Sequence, residues 1–183
     1  MEAAKEPEIE PIDKFYLLVG KCIKAWATVE GLLYEICAKL LKSDAPLVSV
    51  VFYRTPTISA RIELVNDLLA VRFPKTKINN QWLDQAVIKE WKAIKKQISD
   101  LLPQRNSLAH HPTKVIFSNN EKEPSRWEFI VSIESSPSAE ELRRGRPLER
   151  VTQTQLQPHL DQVNVITVSL EQFISGSFVQ AQP

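Results

Sequence analysis

The residues best suited to chemistry stand together in one hexamer, Arg105-Asn106-Ser107-Leu108-Ala109-His110. Arginine carries a permanent charge on a planar fork that matches phosphate. Histidine is the side chain whose ordinary pKa lets it move protons near neutrality, and asparagine can orient either one. Gathered in a cleft, the three suit cleavage of RNA without a metal. The imidazole takes the proton of a ribose 2′-hydroxyl or returns one to the leaving oxygen, while the guanidinium steadies the charge growing on the phosphate. The spacing sets a condition. Positions i and i+5 lie about 140° apart on a regular helix, so Arg105 and His110 converge only where the helix bends or ends, or where a second copy supplies the complementary pair.

Other chemistries fall away by residue type and spacing. The glycines are Gly20, Gly31, Gly145 and Gly176, with no GxG among them and none before Lys-Ser or Lys-Thr. A phosphate-cradling loop or a dinucleotide-binding turn needs such clusters, so both are excluded. The histidines are His110, His111 and His159, preceded three residues earlier by Ser107, Leu108 and Leu156. No Glu-x-x-His pair and no HExxH exists, so no metal site and no cofactor is expected. No GxSxG elbow is present. Cys22 and Cys37 sit in the apolar pattern of one helix, roughly 22 Å apart by its rise, and cannot bridge; inert packing in a reducing compartment is the expectation. The acidic start, Met1-Glu2-Ala3-Ala4-Lys5-Glu6, has no apolar core of a signal peptide, and charges or prolines interrupt every apolar stretch. A cytoplasmic protein with no membrane span is expected.

The elements that must position the hexamer follow from hydrophobic period. With 43% hydrophobic residues in 183, the chain can bury a core without staples, and a formal net charge of +1 argues against a uniformly basic nucleic-acid binder. Residues 1–11 read as a frayed acidic tail. A long helix runs from about Asp13, a plausible N-cap, to Leu41, with Phe15, Leu18, Cys22, Trp26, Val29, Leu33, Ile36 and Leu40 on one stripe. Leu47 to Tyr53 reads as a short buried helix of about two turns, with its β-branched residues leaving a strand open. Thr57 caps a third helix to about Arg72, and a fourth starts near Asn79 or Asn80, with Leu83, Val87, Trp91, Ile94, Ile98 and Leu101 in phase. Pro103 should kink or restart it. Arg105 is the next in-phase position and so faces the packed side.

Beyond Pro112 the period changes to two, at Val115, Phe117, Trp127, Phe129, Val131 and Ile133, which predicts a β-hairpin over about 114–134. An exposed arginine-rich loop over about 135–151 follows. A last helix, about Thr154 to Ser175, stops at Gly176, before a tail at 177–183. The fold class expected is mainly α: a bundle of four substantial helices plus one short, with a β-hairpin insert, in a single domain over 12–176.

Arg-Asn-x-x-x-His late in a bundle helix resembles the signature of the HEPN superfamily, Arg-x(4–6)-His with a polar residue after the arginine. The resemblance covers roughly residues 12–111 and the closing helix, its specificity lying in the six residues of the motif. It implies a compact helical bundle that commonly dimerises and, in many members, a toxin or defence factor that cuts RNA without metal, with both motifs meeting at the dimer cleft; an antitoxin or other protein is the further candidate partner. Carried over, Arg105 binds phosphate, Asn106 orients and His110 is the general acid/base. A tyrosine two residues after the histidine marks a branch linked to nucleotide modification; Pro112 stands there instead, so that mechanism is not carried over. The alternative is a HEPN-like bundle without catalysis that binds a partner protein or nucleotide through the same cleft.

Around the motif, Lys75 to Lys114 carries eight cations against Asp84, Glu90 and Asp100. Lys95, Lys96 and His111 are its candidate substrate-binding residues, steering RNA by charge, with a solvated helix face as the plainer reading. Glu30 and Arg61 lie beside the first and third stripes and are expected to form a partly buried structural pair. His159, early in the last helix, reads as a surface residue.

Overall fold

The structure, a computed structural model, describes residues 11–78, 81–83, 85–110, 113–118, 126–132 and 150–176. The chain is mainly helical. In order it forms α1 (Pro11–Leu41), α2 (Ala45–Arg54), α3 (Ile58–Arg72), β1 (Thr76–Ile78), β2 (Gln81–Leu83), α4 (Ala86–His110), β3 (Thr113–Ser118), β4 (Arg126–Ser132), β5 (Arg150–Thr152) and α5 (Gln153–Ser175). The residues group into two compact units. The first combines Met1–Lys24 with Pro103–Asp161, and the second combines Ala25–Leu102 with Gln162–Pro183.

The second unit holds a core of twenty-two buried residues. The α1 stripe contributes Trp26, Val29, Leu33 and Ile36, α3 contributes Ile62, Val65 and Leu69, α4 contributes Val87, Trp91, Ile94 and Ile98, and α5 contributes Val163, Leu170 and Phe173. Each such side chain contributes about 1.5–3 kcal/mol by leaving water. Local signals set the helix ends. Thr57 Oγ1 accepts the Ala60 N–H at 3.1 Å, an N-cap that satisfies one of the first-turn donors of α3. The C-terminal end of α1 is less comfortable: Lys42 closes it at φ 49, a left-handed conformation that glycine adopts more readily. Val48 and Phe52 of α2 are buried, but Leu47, Val50, Val51 and Tyr53 are exposed, so the expected buried helix is buried on one side only.

The first unit is built on Phe15 and Cys22 of α1, Ser107 and Leu108 of α4, Val151 of β5, and Leu156, His159 and Leu160 of α5. Its sheet has the order β3-β4-β5, with β3 antiparallel to β4 in the register Val115↔Phe129 and β4 antiparallel to β5 in the register Val131↔Val151. β3 and β4 fall in the stretch of period-two alternation; the segment joining them, 119–125, lies outside the described residues. At the start of α5, Thr152 N–H donates to Gln155 Oε1 at 2.9 Å, one half of a capping box.

Five expectations are corrected. α1 begins at Pro11, so Asp13 lies in the first turn, where it favours the positive end of the helix dipole, and is not the N-cap. α4 begins at Ala86, because β1 and β2 pair in the register Ile78↔Gln81 and take Leu83 out of the helical stripe. The two asparagines between these runs are a hairpin signal that the phase of Leu83 concealed; they lie outside the described residues. Of the two outcomes expected at Pro103, a kink or a restart, the restart does not occur: one helix runs through it. The carbonyl that loses its partner belongs to Ser99, which is exposed, so water can satisfy it. The exposed loop expected to reach 151 ends earlier, since Arg150–Thr152 forms β5 and Val151 is buried; residues 135–149 lie outside the described residues. Finally, His159 is 1% exposed rather than on the surface. It lies three residues after Leu156 and four before Val163, squarely on the helix's buried stripe.

Candidate functional site

Arg105, Asn106 and His110 occupy the last turns of α4, within the first unit. Their helix is held by its neighbours in sequence: Ser107 and Leu108 are buried, while Asn106 and His110 are exposed and Arg105 is half-buried. Asn106 and His110, four residues apart, fall within about 40° on one face of the helix. Arg105 begins on a different face, about 100° from Asn106. Its guanidinium nevertheless turns toward Asn106, with Nη1 donating to Asn106 Oδ1 at 3.3 Å. This hydrogen bond places the guanidinium on the Asn106 side of the helix, the side that also bears His110. Ser107 Oγ is buried with no hydrogen-bond partner among the described residues. It lies about 60° round the helix from His110, at the edge of the packed side.

The other candidate residues stand elsewhere. Lys95 and Lys96 belong to the second unit, and each holds a carboxylate: Lys95 Nζ meets Glu63 Oε2 at 2.7 Å, and Lys96 Nζ meets Asp100 Oδ2 at 2.7 Å. His111 lies outside the described residues. Glu30 and Arg61 form an ion pair in the second unit. Arg61 Nε also donates to the Thr55 carbonyl at 3.1 Å, and its guanidinium lies over the rings of Phe52, at 5.2 Å, and Tyr53, at 5.5 Å. With its charge paired, its plane over two rings and its Nε on a backbone carbonyl, Arg61 joins α1, α2 and α3 and is a structural residue. The cation–π part went unforeseen; the adjacent aromatics Phe52-Tyr53 were the available signal.

Two buried titratable groups accompany the first unit's core. Burial pushes the Cys22 thiol up to about 11, and its Sγ–H donates to the Leu156 carbonyl at 3.6 Å. Burial holds the His159 imidazole below its ordinary pKa. Cys22 is therefore a protonated packing group and no nucleophile, and His159 sits neutral in the core. In the second unit burial likewise raises Cys37. Among the described residues no three His, Cys, Asp or Glu side chains cluster as a metal site would require, and no helix is long and apolar enough to cross a membrane.

Comparison with protein-family models, curated proteins and solved structures found no match.

Proposed function

We propose that this chain is a metal-independent endoribonuclease of HEPN type, with Arg105 binding the scissile phosphate, Asn106 holding Arg105 and His110 as general acid/base. The observation that carries the reading is the hydrogen bond from Arg105 Nη1 to Asn106 Oδ1 on a helix whose Asn106 and His110 share an exposed face. It turns the guanidinium toward the Asn106 side of the helix and so supports convergence of Arg105 and His110, which begin about 140° apart. In the proposed step His110 removes the proton of a ribose 2′-hydroxyl and the freed oxygen attacks phosphorus. The P–O5′ bond breaks, and the departing oxygen takes a proton. The products are a 2′,3′-cyclic phosphate and a 5′-hydroxyl. The exposed imidazole reaches solvent and a strand alike, and the forked guanidinium matches the oxygens on which charge accumulates. RNA as substrate, a cytoplasmic setting in toxin or phage defence, a homodimer and a masking antitoxin go with this reading through the HEPN resemblance.

The test is cleavage of varied single-stranded and structured RNAs by the purified chain in EDTA, beside folded Arg105→Ala and His110→Ala variants. Cleavage that both substitutions abolish supports the reading. If no RNA is cut, or if cutting is indifferent to both substitutions, the same helix face is left as a binding surface for an anionic nucleotide or partner protein.

A further inference from the structure

Within the second unit, α4 before Pro103 and α5 beyond Asp161 leave a groove between them. It is lined by Gln97, Asp100 and Leu101 from α4 and by Gln162, Val165 and Ile166 from α5. Each helix contributes residues at i, i+3 and i+4, which are neighbours on one helix face. Ile166 is 2% exposed and Leu101 half-buried, so these two make the floor, and Val165, 59% exposed, makes an apolar wall. Gln97, Asp100 and Gln162 are exposed and form a polar rim. The groove encloses about 270 Å³. That lies just below the ~300–1,000 Å³ of sites for drug-sized ligands, so it suits one flat ring system with the rest of its molecule outside.

The rim decides which ring. An aliphatic floor and wall accept the apolar faces of a nucleobase. The amides of Gln97 and Gln162 each offer a donor and an acceptor, and so match base edges of mixed character. The Asp100 carboxylate only accepts, so the ring must bring donors to it. Guanine brings two side by side, N1–H and the N2 amino group, and keeps O6 and N7 as acceptors for an amide N–H. Adenine and cytosine set an acceptor nitrogen beside their amino group, which would oppose the carboxylate, and uracil has a single N–H between two carbonyls. Asp100 is available for the task. Its Oδ2 meets Lys96 Nζ at 2.7 Å, but the two side chains are 60% and 76% exposed, and an open i, i+4 pair of this kind contributes little. On turning to a base, Asp100 releases Lys96, one helical turn away, for the phosphate of a nucleotide. We propose that this groove binds a guanine base, with Asp100 on its N1–H and N2 edge, Gln97 and Gln162 on its other polar atoms, and Leu101, Val165 and Ile166 against its faces. A free nucleotide and a guanosine in an RNA strand present the same base. The inference does not rest on the ribonuclease reading, since the groove lies in the second unit and the motif in the first.

The test is titration of the isotope-labelled full chain with GMP, IMP and AMP, followed by amide NMR shifts. GMP moves the amides around Gln97 to Leu101 and Gln162 to Ile166 saturably. IMP, which differs from GMP only in lacking the N2 amino group, binds about tenfold more weakly, and AMP more weakly still. Asp100→Asn, at an exposed position, lowers GMP affinity about tenfold or more with an unchanged circular dichroism spectrum. Equal affinity for the three nucleotides overturns the proposal, and this comparison needs no substitution. A folded Asp100→Asn that binds GMP as the wild type does overturns it too, as does the absence of groove shifts at millimolar GMP or a response confined to the lysines outside the groove. A short 2′-O-methylated RNA, which a 2′-hydroxyl mechanism cannot cut, identifies the source. Tighter binding of a guanosine-containing strand than of GMP assigns the site to RNA, and tighter binding of GMP assigns it to the free nucleotide. A wild type that binds GMP and cuts no RNA keeps this inference while the ribonuclease reading falls; cleavage without groove binding does the reverse.

Discussion

At Arg105 the chemistry depends on direction as much as on charge. The guanidinium is drawn round the helix by Asn106 Oδ1, so Asn106→Ala should lower RNA cleavage by about tenfold, chiefly in kcat, while leaving the fold intact. Arg105→Lys keeps the charge and loses the fork, and should cost more than Asn106→Ala. Equal activity in all three proteins, measured as single-turnover rates, would remove this pair from the site. A second residue-scale expectation concerns Lys42, which closes α1 at φ 49. Lys42→Gly should relieve about 1 kcal/mol of left-handed strain and raise the melting temperature by a few degrees. An unchanged or lower Tm would mean that the side chain contributes more than its backbone costs. Cys22, buried and protonated, should resist alkylation in the native protein and react once it is unfolded.

The last helix shows how an element converts a misread residue into a property. α5 buries Leu156, His159, Leu160 and Val163 together, so His159 must stay neutral for the first unit to remain packed. Its folded pKa is lowered from the ordinary 6.5. Above that value both folded and unfolded chains hold the neutral imidazole, and the residue makes no pH-dependent contribution. As pH falls below it, the unfolded chain takes up a proton that the folded one refuses, so stability declines until the lowered folded pKa is passed. Urea midpoints at pH 7.5 and 5.5 should therefore differ for the wild type, and differ less for His159→Leu; identical pH dependence in both proteins would assign the effect to other groups. Within α4 the continuous run through Pro103 is the comparable lesson, since the missing N–H falls opposite Ser99, an exposed residue.

For the molecule as a whole, the slowest openings belong to the second unit's core. Twenty-two buried residues form its cluster. The turns that carry Arg105 to His110 end α4 and expose Asn106, Ala109 and His110. Opening free energies scale with such burial. Native-state hydrogen exchange should therefore find the slowest amides in α1 beyond Lys24, in α3 and in α4 before Pro103, with faster exchange in the turns that carry Arg105 to His110. Uniform protection along α4 would show that its last turns draw stability from elsewhere. Ile98→Ala, in the second unit's core, should cost about 2–5 kcal/mol, read from denaturant midpoints.

Hydrophobic period alone determined the helices, because a buried stripe must recur at the helical repeat wherever its partner lies. It located α1 to within two residues at its start, α3 through Thr57, and the end of α5 before Gly176. It also placed Glu30 and Arg61 on the flanks of two stripes, where the structure joins them. The hexamer was legible as residue types at a spacing. Whether its cation turns toward Asn106 was not, because a side chain's direction is set by the groups around it. Only tertiary structure decided that His159 is covered and that Leu47, Val50 and Val51 are not. Period says that a face is apolar, while coverage depends on which other elements arrive against it.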